Sequence, residues 1–286
     1  MGILFAFIAL FSWGFGDFLI QKSTRKFGDW VVLFYLTLFA SVILLPFIFS
    51  DLQDLFSNPW GLFILIIASL TLLLAALLDF EALKIGKICV VEPIYALEVP
   101  ITAALATFLI GEYLSLWQII LILLLVGGIL LVSTKSWEGF RRQRVEKGVL
   151  VAVLATICMG GVNFLFGYGA RETSPLLINW FTNVFMLICC IGYLIITKRA
   201  SEIVTDWKNN KRLIIGVSIV DNLAWVAYAY SMLYIPIAIA TGISESYIAL
   251  AAALGLIINR EKLRQHQWLG LILALGCAII LAFTLE

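Results

Sequence analysis

Apolar runs of about 20 residues recur ten times along this chain, each ended by charge, proline, glycine or asparagine. One helical crossing of a bilayer's hydrocarbon core needs a run of that length, and inside the core a helix satisfies its own backbone polar groups. The runs span residues 2 to 21, 29 to 49, 60 to 83, 88 to 110, 114 to 134, 148 to 168, 175 to 197, 211 to 233, 236 to 258 and 266 to 285. They predict an all-α integral membrane protein of ten transmembrane helices. Of the 286 residues, 63% are hydrophobic and 13% charged, so ten crossings and their connectors leave nothing for an extramembrane domain. The first run has no basic flank and no small-residue cleavage site and carries Trp13 and Asp17, so it is read as a retained helix.

Connectors such as Gly111-Glu112-Tyr113 and Tyr234-Ile235-Pro236 are short enough to make neighbouring helices antiparallel. The stretches 135 to 147 and 198 to 210 are read as loops. Basic residues fall almost wholly on one side. The connectors after segments 1, 3, 5, 7 and 9 hold 18 of the 19 lysines and arginines, whereas Arg171 shares the other side with both termini and with Asp51 and Asp54. The positive-inside rule then places the termini outside the cytoplasm. Losing or adding one crossing would scatter the downstream charges over both faces, so the asymmetry also supports the segment count.

At an offset of 149 residues the chain resembles itself. Gly111-Glu112-Tyr113-Leu114-Ser115 lies over Arg260-Glu261-Lys262-Leu263-Arg264, Gln118 over Gln267, and Gly127 over Gly276. A repeat of five crossings enters the membrane from the opposite side in its second copy. Residues 1–134 and 148–286 are therefore expected to be two inverted five-helix repeats around a central cavity, joined by the basic connector 135–147.

With Trp13, the Gly111-Glu112-x-Leu114-Ser115-x-x-Gln118 stretch with Gly127-Gly128, and its counterpart Arg260-Glu261-Lys262-Leu263-x-x-x-Gln267-x-x-Gly270 with Gly276, the sequence resembles the EamA family of the drug/metabolite transporter superfamily. The resemblance implies a basket-like bundle around a central cavity, and substrates such as amino acids, nucleotide-linked sugars, other metabolites or drugs. It also implies cytoplasmic termini and a basic connector after the second helix. The charges of this chain give the reverse, with Asp51 and Asp54 in that connector.

Asp17, Asp79, Glu81, Glu92, Glu98, Asp221 and Glu245 fall inside predicted spans, where each ionisable group costs about 2.5–3.5 kcal/mol on insertion scales. No lysine or arginine sits near the middle of those spans, so the interior suits a proton, a metal cation or an ammonium group. In segment 4, helical geometry puts Glu92, Tyr95, Glu98 and Thr102 on one stripe flanked by Pro93 and Pro100. Segment 8 aligns Ser218, Asp221, Trp225 and Tyr228, an acid beside aromatic rings fit for a cationic amine. Segment 9 adds Thr241 and Glu245. Asn163 of segment 6 and Asn179, Trp180 and Asn183 of segment 7 either line the cavity or glue helices, and Trp13 with Asp17 completes a ring of polar groups. Asp79 and Glu81 lie near a helix end and read as interfacial.

Cys89, Cys158, Cys189, Cys190 and Cys277 lack metal-site or redox spacing, and His266 stands alone, so neither a cofactor nor an enzyme's catalytic constellation is expected. The expected partners are the lipid bilayer and a small-molecule solute, without nucleic acid, in a monomer or homodimer. The chain reads as a multi-pass cell-membrane protein, a secondary active transporter of an amino acid, amine or other metabolite, with efflux one open direction, coupled to a proton or cation. The alternative is a divalent metal cation transporter or channel, since carboxylates also hold such ions.

Overall fold

The computed structural model describes residues 1–55, 57–85, 94–133, 147–251 and 264–285, and nothing but helices and short connectors occurs among them. In the first half the helices are α1 (Gly2–Phe27), α2 (Asp29–Leu44), the short α3 (Phe49–Leu55), α4 (Pro59–Ile85), α5 (Glu98–Ile110) and α6 (Leu116–Ser133). The second half has α7 (Lys147–Glu172), α8 (Pro175–Ile196), α9 (Ala200–Tyr234), α10 (Ile237–Glu245) and α11 (Gln265–Phe283). Six stretches are long and apolar enough to cross a membrane, and they fall in predicted segments 2, 3, 6, 7, 8 and 10. Shorter apolar helices, Gly2–Gly16, Glu98–Ile110, Leu116–Val132 and Ile237–Ala251, fall in segments 1, 4, 5 and 9.

Local chemistry fixes the ends. Ser174 caps α8, its hydroxyl accepting from the Leu177 N–H at 3.0 Å, and Pro175 opens the helix where no intrahelical donor is needed. Gly111 takes φ 68° at the end of α5, a left-handed turn that glycine enters without strain.

Packing between the halves is reciprocal. Helix α1 runs along α9 and, in exchange, α4 along α7; α2 meets α8, α5 meets α10 and α6 meets α11. The last pair makes the relation explicit. Gln118, at the start of α6, donates its Nε2 to the Thr284 hydroxyl just past α11 (3.2 Å), and Gln267, at the start of α11, donates to the Val132 carbonyl near the end of α6 (3.2 Å). Each glutamine also caps its own helix, accepting from the N–H of Ser115 (2.9 Å) or Arg264 (3.0 Å). Such an exchange between antiparallel copies is what a twofold axis in the membrane plane produces. The two helices touch through bare backbone, because a methyl group on Gly128 would stand 2.6 Å from the Ala274 nitrogen, and one on Gly270 2.6 Å from the Gly128 carbonyl.

The structure corrects two expectations. Residues 200 to 210, expected as loop, belong to α9, which runs 35 residues through a kink at Asn210 (φ −137°, ψ 21°). That stretch has no proline or glycine, and Ile203 and Trp207, one turn apart, lie against α2, where the Tyr35 hydroxyl donates to the Ile203 carbonyl. The connector with Asp51 and Asp54 holds the short helix α3. Segment 4 is not one continuous helix in its described part: a turn at Ala96-Leu97 separates Tyr95 from α5. Pro100 then falls in the first turn of α5, where a missing N–H forfeits no intrahelical bond.

Candidate functional site

The site is built around two turns. Segment 4 tightens at Leu97 (φ −74°, ψ −6°) and segment 9 at Ser246 (φ −64°, ψ −5°), both still in the right-handed region and at positions that the 149-residue offset places over one another. Glu98 is the first residue of α5 and Glu245 the last of α10, so each turn carries one carboxylate. The helices meet, and Glu245 and Asp79 lie within electrostatic reach of Glu98. Asn163 of α7, 2% exposed, stands near Glu98, and its Nδ2 has no hydrogen-bond partner among the described residues. Thr102 ties α5 to α7, its hydroxyl shared between the Glu98 carbonyl (2.9 Å) and the Gly160 carbonyl (3.1 Å).

An aromatic group closes over these acids. The Trp13 ring lies 5.2 Å from that of Trp225, 5.1 Å from Tyr228 and 5.5 Å from Tyr247, and Trp225 also meets Phe166 at 4.9 Å. Tyr228 is fully buried, feels the charges of both Glu245 and Glu98, and shares a 2.8 Å hydrogen bond with the Thr241 hydroxyl. Helices α1, α5, α7, α9 and α10, from both halves, thus bring Trp13, Glu98, Asn163, Trp225, Tyr228, Thr241 and Glu245 together. Two acids held close in a low-dielectric interior cannot both stay ionised unless a cation balances them. Such a place binds a proton or a cationic group, and the faces of Trp13 and Tyr228 favour the same sign of charge.

The remaining expected site residues engage other groups. Asn179 donates to the Pro175 carbonyl (2.8 Å) and the Trp225 carbonyl (3.4 Å), Trp180 to the Ser41 carbonyl (2.9 Å), and Asn183 to the Asn179 carbonyl (2.8 Å). Their donors are taken up by helix–helix and intrahelical bonds, the gluing alternative. Asp221 is partly exposed and makes no hydrogen bond or ion pair among the described residues. Tyr95 engages Asp79, which lies within electrostatic reach of Glu98. Glu92 and the side chain of Asp17 lie outside the described residues.

Tyr247 and Phe166 escaped the sequence reading. Tyr247 stands two residues from Glu245, which in an unbroken helix points elsewhere; its signal was the alignment with Glu98 under the repeat.

The EamA-like transporter family matches this sequence twice, over residues 1–134 and 146–283. The chain belongs to that family, and with it to the drug/metabolite transporter superfamily of multi-pass membrane proteins that move small solutes. A solved crystal structure of a protein shares the fold with a TM-score of 0.78 at 16% identity, covering 100% of this chain and 98% of that one. No curated protein matches the sequence.

Proposed function

We propose that the chain is an alternating-access carrier of a small organic solute, in which Glu98 and Glu245 hold the solute's positive charge or the coupling proton. The observation that carries this reading is a pair of intramembrane carboxylates, Glu98 and Glu245, at helix turns in equivalent places of the two repeats and within electrostatic reach of one another. Secondary carriers bind solute and ion near the midplane, at a repeat interface. The aromatic rings around Trp13 fit an organic group better than a bare ion. With 18 of 19 basic residues on one side, the carrier sits in the cell membrane with that side cytoplasmic.

Screening the purified protein against the amino acids, monoamines and divalent ions by thermal stabilisation identifies the ligand class, with an amine or amino acid expected as the stabilising compound. In liposomes, Glu98→Gln and Glu245→Gln are each expected to abolish accumulation of that compound driven by a pH gradient while leaving exchange partly intact, and Asp221→Asn to weaken it less. Unchanged pH-driven accumulation in a variant neutral at all three positions would refute the coupling role of these acids. Stabilisation by divalent ions alone would replace the organic solute with a metal cation.

A further inference from the structure

Arg171, the single basic residue that the charge pattern assigns to the face with both termini, sits in a junction where α5, α6, α7, α9 and α10 meet. It ends α7, and its Nη1 lies 2.6 Å from an oxygen of Glu112, with side-chain exposures of 28% for Arg171 and 11% for Glu112. The rest of the guanidinium is occupied as well: Nε donates to the Met232 carbonyl (2.8 Å) and Nη2 to the Ile235 carbonyl (3.0 Å), at the end of α9. Glu112 follows the left-handed Gly111, and its own N–H returns to the Ala106 carbonyl (3.1 Å), which fixes the corner between α5 and α6. Its two carboxylate oxygens accept from the Ile237 N–H at 3.1 and 2.8 Å, the first donor of α10.

Through this one ion pair, a first-half corner grips three helix ends of the second half. Helix α10 is a strut nine residues long, about 13 Å at 1.5 Å per residue. Its first residue is held by Glu112, its middle by the Thr241–Tyr228 bond, and its last residue is Glu245. A change at Glu245 is therefore transmitted along a rigid helix to the junction, and the junction in turn fixes where Glu245 stands.

We propose that Glu112 and Arg171 form a latch that closes the terminus-bearing end of the carrier, and that the site between Glu98 and Glu245 opens to that side only when the latch breaks. This rests on the carrier reading above and adds to it the device that selects the side of access. Arg171 suits the role because its planar fork holds a carboxylate and two carbonyls at once, which a lysine cannot do. The carboxylate left behind when the pair parts would still face a helix N-terminus, which favours negative charge and eases re-closure.

The test is a distance measurement between spin labels at Leu116→Cys, exposed at the start of α6, and Glu172→Cys, exposed at the end of α7, with the native cysteines replaced by alanine. The unmutated latch is expected to give one dominant short separation in lipid nanodiscs. Glu112→Ala is expected to raise the ratio of long to short separations at least about tenfold, a shift that a differential contact of this kind produces. Glu112→Gln keeps the acceptor for Ile237 but loses the charge, and Arg171→Lys keeps the charge but loses the fork; each is expected to give a smaller rise in the same direction, so the outcome does not depend on the alanine variant folding. Identical distance distributions in all folded variants would overturn the latch. Counterflow of amino acids and monoamines in liposomes separates the two readings: distances that shift in a protein that moves none of these compounds leave the latch and remove the organic carrier, whereas counterflow with unmoved distances does the opposite.

Discussion

Adjacent glycines in α6 should respond in opposite ways to the same added methyl group. A Cβ on Gly128 would stand 2.6 Å from the Ala274 nitrogen and 2.8 Å from the Gly270 carbonyl oxygen, both backbone atoms that no rotamer change can move. Ordinary contact needs about 3.5 Å, so α6 and α11 must separate by close to 1 Å, which forfeits a quarter to a half of the dispersion energy along the seam. Overpacking of this kind costs about 1–3 kcal/mol. Gly127 has nothing within 4 Å of its Cβ position, so Gly127→Ala keeps only the helix-propensity gain of up to about 1 kcal/mol. The propensity gain is common to both variants and cancels, leaving Gly128→Ala less stable than Gly127→Ala by about 1–3 kcal/mol. At about 2–4 °C per kcal/mol, the difference is visible in the apparent melting temperature of detergent-solubilised protein. Gly270→Ala should behave like Gly128→Ala, and Gly276→Ala, also open, like Gly127→Ala. The double variant Gly128→Ala/Gly270→Ala should lose less than the sum, because both methyl groups push the same two backbones apart. Equal losses at Gly127 and Gly128, or strict additivity in the double variant, would refute close backbone approach as the reason for these glycines.

Two further outcomes are expected. Trp180→Phe removes the donor to the Ser41 carbonyl and should lower the melting temperature by the equivalent of about 1 kcal/mol while leaving ligand stabilisation unchanged, since this side chain joins α8 to α2 and stays clear of Glu98. An alkaline phosphatase fused to either terminus should be active and a fluorescent reporter that folds only in the cytoplasm should be dark, as the placement of the basic connectors demands; cytoplasmic termini would reverse the orientation without altering the fold.

The fold was legible because a bilayer forces its signals into the sequence. Runs long enough to cross, basic connectors gathered on one face, and Gln118 and Gln267 recurring at one offset all survive without any knowledge of contacts. The site was half legible: Glu98, Glu245, Trp13, Trp225, Tyr228 and Asn163 could be singled out as polar or aromatic groups in apolar runs, but their convergence is set by packing between the halves, and the turns at Leu97 and Ser246 leave no signal. Neither residue is a helix breaker. Pro100, which looked like one, sits in a first turn that tolerates it. The stretch before Lys211 looked like a loop because it is polar, yet Ile203 and Trp207 supply the two contacts that dock it as helix. Glu112 was visible only as part of a repeated motif and Arg171 only as an exception to the charge pattern; that the exceptions meet each other is a tertiary fact.

The exchange of partners between the halves bears on how the chain is made. As helices leave the ribosome in order, α1, α2 and α6 must wait in the membrane for α9, α8 and α11, which are synthesised more than a hundred residues later. Until α11 arrives, Gln118 has no Thr284 to bond and the bare seam at Gly128 faces lipid. The sequence repeat is thus no independently folding unit: the first half inserted alone would lack most of its packing surface, and α4 with α7 is the earliest of these exchanges that the growing chain can complete.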